Sequence, residues 1–422
     1  MKKKFGKVLL VMVASLLAVD SAAATDGYFL TGYGTKQQGQ GGAGIAQPAD
    51  SLAGATNPAG LFLAGNRTDL GLTIFRPNRS ATISNSGLPP QYGVDGTYDA
   101  NRVTTFELPE FGYSRVYSPK LAYGIALYGN GGLNTSFTRP IPLLGNTRGG
   151  VDIEQLFVSP TLSYKADKHN TFGIAANIAY QRFSAEGLQN FATSNYSVAP
   201  GNVTNVGHSN SYGAGVRIGW LSEINSALSV GATYQSKTWA SAFSQYKGLF
   251  AEGGKFDVPA NFGGGVAVKI APKVKVLVDE ERILYSGVKS INNSDANQTP
   301  LGSSNGPGFG WHSINVLKAG VDYDLSHALT VRGGYNHGGV PFDGSQSFFN
   351  LLAPAVVQNH LHLGTTWTLA DGKEINAAYI HAFSNTVQGV NAIPASAGGG
   401  NISLNMDQNS FELSFAWNRS KK

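Results

Sequence analysis

Charged residues are scarce in this chain, and the few that lie inside apolar, alternating segments are where chemistry can be sought. Lys318 and Asp322 lie in VLKAGVDYD, Arg332 follows in LTVRGGY, and His360 and His362 flank a leucine in HLHLG. Lys269, Lys275, Asp279 and Glu281 form a second set upstream. Ligand sites are mostly apolar with a few placed polar groups, so such cations could hold one carboxylate in a greasy pocket. Arg332 is the candidate clamp because a guanidinium grips a carboxylate bidentately; Lys318, His360 and His362 are the further candidate ligand contacts. The competing reading is that these charges pair with one another and tie parts of the fold together as a satisfied polar network. His360 and His362 offer two imidazoles on one strand face, but no nearby pattern supplies the other ligands a metal needs. Neither a metal nor another cofactor is expected.

Enzyme motifs are missing as well. The chain has no GxSxG elbow, no Walker loop, no HExxH and no dinucleotide fingerprint. A Ser/His pair assembled only in space would escape such a search, yet His312-Ser313 and the remaining histidines single out no candidate. The chain is not read as an enzyme.

The elements that must position these residues are strands. In TFGIAANIAY, Phe172, Ile174, Ala176, Ile178 and Tyr180 fall on one face, while Gly173, Ala175, Asn177 and Ala179 fall on the other. SFELSFAW separates Phe411, Leu413, Phe415 and Trp417 from Ser410, Glu412, Ser414 and Ala416 in the same way. Successive strand side chains point to opposite faces, so each segment has one greasy face and one polar or small face. The same alternation sends Lys318, Asp322, Arg332, His360 and His362 to the polar face.

The connections decide what the strands build. Short turns recur at residues 118–120, 166–170, 221–226, 271–273, 324–328 and 370–373. Longer Gly/Asn/Ser-rich links lie at 85–102, 129–150, 186–207, 248–256, 290–308, 341–357 and 389–402. Tight turns at one rim and long loops at the other are the mark of a transmembrane antiparallel β-barrel. About fourteen strands fit between Thr68 and Trp417, and the even number puts both ends of the barrel on the periplasmic side. Many segments exceed the ~10 residues a tilted strand needs to cross the hydrocarbon layer, so the wall should project beyond it.

Composition agrees. Charged residues make up 14% of the chain, against ~25% in soluble domains, and cysteine is absent, which excludes a disulfide scaffold and thiolate metal sites. The opening MKKKFGKVLLVMVASLLAVDSAAATDG has four lysines, an apolar run from Val8 to Val19 and small residues at Ala22-Ala23-Ala24. That is the pattern of a signal peptide over residues 1–24. Removing it drops the formal charge from +5 to +2 and leaves 398 residues; the basic balance was mostly targeting signal, which argues against a nucleic-acid partner. No later stretch approaches ~18 uncharged apolar residues, so membrane helices are excluded.

Residues 25–65 precede the first strand. GQGGAGIAQPADSLAGATNPAGLFLAG is compact, small-residue and nearly uncharged. A fourteen-stranded barrel encloses more space than side chains fill, and this segment is read as a plug inside it, with 66–422 forming the barrel and its long loops. Asn57-Pro58 reads as a turn, and Leu61, Phe62 and Leu63 need somewhere to be buried.

GGAGIAQPADSLAGATNPAGL resembles the N-terminal signature of the FadL-like outer-membrane transporters of long-chain fatty acids and other hydrophobic compounds. The match centres on Gly41 to Gly44 and on Asn57, Pro58, Ala59 and Gly60, the hatch motif. Residues 158–183, 257–288 and 329–342 fit as well, and the resemblance spans essentially the mature chain. It implies a monomeric plugged barrel in the outer membrane of a Gram-negative cell, in contact with lipid and lipopolysaccharide. Ligand would enter by a hydrophobic groove among the loops, reach a deeper apolar pocket, and leave by passive diffusion through a lateral opening at an inward kink of a wall strand. One departure is plain: such barrels commonly end on an aromatic residue, whereas Asn418 to Lys422 continue past Trp417. A general or solute-selective porin and a surface adhesin or structural protein are the alternatives. A porin would need no Gly/Ala hatch, and an adhesin would use the long loops, with Phe250, Phe309, Phe342, Phe348, Phe349, Leu351 and Leu352, to meet a protein.

Overall fold

The computed structural model describes residues 25–418; the expected signal peptide and residues 419–422 of the tail lie outside the described residues. Fourteen long strands form the wall: β1 (Arg67–Ser84), β2 (Phe106–Ser118), β3 (Leu121–Pro140), β4 (Arg148–Lys165), β5 (Asn170–Glu186), β6 (Ser209–Glu223), β7 (Leu228–Gln235), β8 (Asn261–Ala271), β9 (Val274–Ile283), β10 (Ile314–Ser326), β11 (Leu329–Gly338), β12 (Asn359–Thr368), β13 (Glu374–Gly389) and β14 (Asn401–Asn418). Each pairs antiparallel with the next, and β14 pairs with β1, so the sheet closes on itself. Closure leaves no edge whose unpaired N–H and C=O groups would cost several kcal/mol each in lipid. Among the described residues no helix is long and apolar enough to cross a membrane.

The alternation read from the sequence is the alternation of the wall. On β5, Phe172, Ile174 and Ile178 are about half exposed, while Ala175, Asn177, Ala179 and Gln181 are buried. On β14, Phe411 and Leu413 face out while Ser410, Glu412 and Ser414 face in. Greasy residues outside and polar or small residues inside invert the order of a water-soluble sheet. Only lipid covers such a belt without a hydrophobic penalty. All six short turns are present, two of them displaced: the turn expected at 221–226 lies at 224–227, and the one expected at 324–328 is only 327–328, because the strands run on to Glu223 and Ser326.

One long link is corrected. Residues 129–150 read as a loop because they are rich in Gly and Asn, yet β3 runs on to Pro140 and only 141–147 remain between strands. The glycines serve a bend within the strand. The β3–β4 register shifts between Gly129 and Gly131, and Gly131 has φ 149°, a backbone conformation that favours glycine.

Residues 25–65 fill the lumen. Two-residue strands, Thr25–Asp26 and Phe29–Leu30, pair with each other. They lead into the short helices α1 (Thr35–Gln38), α2 (Ala53–Thr56) and α3 (Leu61–Ala64), with a 3-10 turn at Pro58–Gly60. Leu61 is buried against Ala53 and Ala122; Phe62 and Leu63 are only partly covered, at the short-turn rim. Above the plug, toward the long loops, lies a single large apolar cluster containing Tyr28, Phe29, Phe183, Phe250, Tyr285 and Trp311.

Candidate functional site

The plug meets the wall in two different ways. Around most of the barrel it is held by side chains. Asn57, fully buried, donates from Nδ2 to Ile45 O at 2.8 Å and to Trp220 O of β6 at 3.0 Å. Its Oδ1 accepts from Ala59 N at 3.1 Å, which caps the Pro58–Gly60 turn. The Asn57-Pro58-Ala59-Gly60 motif is thus a knuckle pressed onto the wall. A Cβ placed at Gly173 of β5 would lie 2.2 Å from Pro58 C, and one at Gly219 of β6 would lie 1.9 Å from Asn57 Oδ1. Asp279 of β9 accepts from Gly44 N and Ile45 N at 2.6 and 2.8 Å. Lys36 pairs with Glu374 of β13 at 2.7 Å, and Thr35 donates to Glu412 of β14 at 2.6 Å.

The candidate ligand contacts belong to this fastening. Lys318 Nζ is 2.7 Å from Glu281 and 4.0 Å from Asp26 of the plug. His360 Nδ1 lies 2.8 Å from Asn336 Oδ1, and Asn336 in turn donates to Asp26. His362 Nδ1 meets Gln38 O of α1 at 2.6 Å, so that nitrogen carries a proton. Arg332 donates to Thr366 Oγ1 at 2.7 Å and stands 3.3 Å from Asp322. The structure therefore joins Lys318, His360 and His362 in one plug-facing network and sets Arg332 apart from them.

Arg332 lies at the short-turn rim. It lines a polar cavity of about 470 Å³ between the base of the plug and the ends of β7–β11, together with Lys269, Lys275, Asp322 and Lys36. Lys269, Lys275, Asp322 and Arg332 are cross-strand neighbours in register, forming a row of charges rather than an apolar clamp. Among the described residues no group of three or more His, Asp or Glu is placed to hold a metal ion.

On β2–β4 side chains also hold the lower plug, with Glu110 accepting from Gly34 N and Ser163 donating to Pro58 O, but at the height of Gly131 the fastening is different. Phe29 pairs through its backbone with Gly131 of β3, and Gly132 N donates to Tyr28 O at 3.1 Å. A Cβ at Gly131 would lie 1.8 Å from Tyr28 O, so only glycine lets the strand bend this far inward. The bend opens the wall. Residues 106–110 of β2 keep their pairing with β1, but β2 meets β3 only from Phe111–Leu127 downward. Higher up the wall closes again, where Arg102 N donates to Ser136 O at 2.9 Å and Ser136 N to Ala100 O at 3.2 Å. Between these two sets of bonds lies a window.

The window holds a cavity of about 530 Å³ lined by Phe106, Leu108, Leu133, Ile153 and Leu156, with Thr25 and Leu30 of the plug behind. Three carboxylates, Glu107, Asp152 and Glu154, border it. A second cavity, small and apolar at about 40 Å³, lies among the long loops between Val151, Phe191, Leu249, Phe250, Phe309 and Phe349. Val151 and Ile153 are both buried and two apart on β4, so they share the inner face and the two cavities adjoin along one strand. Aromatic rings continue the path from the loops toward the plug: Phe191–Phe349 at 5.4 Å, Phe183–Phe250 at 4.6 Å, Phe250–Phe256 at 4.9 Å and Tyr28–Phe256 at 6.2 Å. The loop residues Phe250, Phe342, Phe348, Leu351 and Leu352 are buried in this cluster rather than displayed to solvent.

Sequence reasoning missed the window residues. Glu107, Asp152 and Glu154 alternate out of phase with Leu108, Ile153 and Gln155, which marks their face but not a break in the sheet. The one available signal was GNGG at 129–132, four turn-type residues inside an otherwise strand-like run.

Comparison with known proteins gives a consistent result. The profile of a family described as outer membrane protein transport protein (OMPP1/FadL/TodX) matches residues 15–420. The solved Pseudomonas putida toluene transporter TodX superposes with a TM-score of 0.69 at 18% identity, covering 93% of this chain and 100% of its own. A Pseudomonas aeruginosa FadL homologue gives 0.70 at 14%, covering 93% and 99%. The Ralstonia pickettii toluene transporter TbuX gives 0.64 at 16%, covering 92% and 98%. No curated protein matches by sequence.

Proposed function

The chain belongs to the OMPP1/FadL/TodX family of outer membrane transport proteins, and from that premise we propose that it takes up hydrophobic compounds by passive diffusion with lateral exit between β2 and β3. It is a transport channel rather than an enzyme, and its cargo is hydrophobic. The observation that carries the lateral route is the break in pairing between residues 106–110 and β3, at the height where the plug strand draws Gly131 inward. Cargo partitions into the aromatic cluster under the long loops, where each buried CH₂ contributes about 0.8 kcal/mol. It moves along the inner face of β4 and leaves through the window into the membrane.

The lumen below supports the same reading from the other side. The base of the plug is polar, crowded and hydrogen-bonded to the wall, so an apolar molecule gains nothing by continuing toward the periplasm. TodX and TbuX are named as toluene transporters; carried to this chain, that name makes a small uncharged aromatic one candidate cargo beside the long-chain fatty acids.

A removable cross-link tests the route. A Cβ at Gly129 would lie 3.6 Å from Leu108 Cβ across the gap, within the ~3.5–4.5 Å that a disulfide requires. The chain has no cysteine of its own. In Leu108→Cys/Gly129→Cys the oxidised pair should lower uptake of a radiolabelled hydrocarbon about tenfold or more, and reduction should restore it. Equal uptake by both forms would remove the lateral exit.

A further inference from the structure

We propose that the rim of the β2–β4 window selects cargo by charge, passing uncharged hydrophobic molecules and holding back those that carry a carboxylate. The inference rests on the lateral-exit reading and adds a substrate class to it. Glu107 comes from β2, and Asp152 and Glu154 from β4, so acids stand on both sides of the opening. No lysine, arginine or histidine lines the cavity with them. Glu154 has Arg182 at 3.7 Å, in a pair open to solvent and therefore weak. Asp152 accepts from Asn134 Nδ2 at 2.8 Å. Among the described residues neither Glu107 nor Asp152 forms an ion pair.

The nearest buried guanidinium does not reverse this. Arg79 is 1% exposed, and its terminal nitrogens donate to Asn134 O, Asn134 Oδ1 and Val103 O. It ties the bent strand to the segment above the window, and its terminal nitrogens are spent on these carbonyl and amide oxygens rather than on a carboxylate. Other buried cations are bonded elsewhere: Lys318 to Glu281, Lys36 and Arg67 to Glu374, Arg332 to Asp322 at the far rim, and Arg217 to Thr56 O and Gln235 Oε1.

A fatty carboxylate is ionised at neutral pH, since free carboxyl groups titrate near 4 to 5. To leave by the window it must pass a rim that carries three carboxylates, and like charges a few ångströms apart repel by about 1 kcal/mol each even at a solvent-open site. An aromatic hydrocarbon, an alkane or an ester of the same length meets the same apolar lining with no such barrier. The window therefore sorts by charge where an apolar surface alone would sort by size.

The test compares dodecanoate with its methyl ester in cells carrying the full-length chain. The wild type should take up the ester roughly tenfold faster, the factor that about 1.4 kcal/mol of repulsion produces. In Glu107→Gln/Asp152→Asn/Glu154→Gln that ratio should fall several-fold. Glu107→Gln alone, at an exposed position without an ion pair, should move the ratio the same way if the triple variant does not assemble. An unchanged ratio in both variants overturns the proposal. The oxidised Leu108→Cys/Gly129→Cys pair separates the two readings. If it blocks the ester while the amide variants leave the ratio unchanged, selection at the rim fails and lateral exit stands. If it leaves ester uptake intact, lateral exit fails and the proposal fails with it.

Discussion

Around most of the barrel, plug and wall share carboxylates, amides and imidazoles, and glycines bring the backbones to the limit of approach. At the height of the window the same plug touches β3 only through the backbone pairing at Gly131 and the Tyr33–Asn130 hydrogen bond, with about 530 Å³ of space beside it, while Glu110, Ser114 and Ser163 of β2 and β4 bond to the plug lower down. The first arrangement punishes any movement, because separating buried hydrogen-bonded groups leaves each one unsatisfied at about 1–3 kcal/mol. The second costs little to rearrange. A molecule passing this barrel will therefore find the compliant sector, and the contrast identifies the plug as a fixture on one side and the back of a doorway on the other.

The strongest way to break the contrast is to spoil the fixed side. Gly173→Ala places a methyl group where Pro58 already stands, 2.2 Å from its carbonyl carbon. Overpacking of this kind costs about 1–3 kcal/mol and sometimes more, and the plug should no longer seat. Planar-bilayer conductance should rise well above that of the wild type while the barrel still shows heat-modifiable mobility on gels. Conductance unchanged from the wild type would mean that the knuckle at Asn57-Pro58 does not hold the plug.

A smaller effect is expected from Arg332→Ala. The change removes the hydrogen bond to Thr366 and the partner of Asp322. It should lower stability by about 1–3 kcal/mol without distinguishing ligands. Calorimetric titration should show dodecanoate and its methyl ester affected alike. A loss confined to the acid would make Arg332 a headgroup clamp after all.

The smallest concerns the outer end of the cargo path. Asp295, in the long loop before β10, is raised from 3.8 to about 6 by burial, against the opposing effect of hydrogen bonds from the Phe348 and Phe349 backbone. Between about pH 4 and about 6 the folded loop holds a proton that the unfolded loop would release, so loop stability falls as pH rises through that window and is level above it. The protection factor for hydrogen exchange at residues 346–352, the rate corrected for its intrinsic pH dependence, should fall across that interval in the wild type and stay level in Asp295→Asn. An equal fall in protection in the variant would place the titrating group elsewhere.

Most of the architecture was legible because it follows from two short-range rules. Period-two alternation gave the faces of β5, β12 and β14, and the spacing of turns gave the strand number and the two rims. The plug was legible from small residues ahead of the first strand. What escaped was tertiary. Gly129 to Gly132 carry turn composition, and only the backbone of Tyr28 and Phe29, a hundred residues away, makes them a bend in a continuing strand. Arg332 was correctly assigned to the lumen, but height along the barrel depends on register. Register put it beside Asp322, away from the aromatic cluster. Lys318, His360 and His362 face inward as expected, and what they meet there is the plug, whose position inside the lumen no local pattern encodes.

The closing ladder between β14 and β1 runs from Asn401–Ser84 to Asn418–Arg67 without a register shift. A slip of two residues along it would keep every side chain on its proper face, so alternation alone does not choose the right alignment. The plug does. Gln408 and Glu412 of β14 bond to Thr25 and Thr35, while Asp69 of β1 accepts from Ser51. Both lips of the seam are thus measured against one internal gauge. The segment that fills the pore is also the clasp that holds the first and last strands in a single alignment.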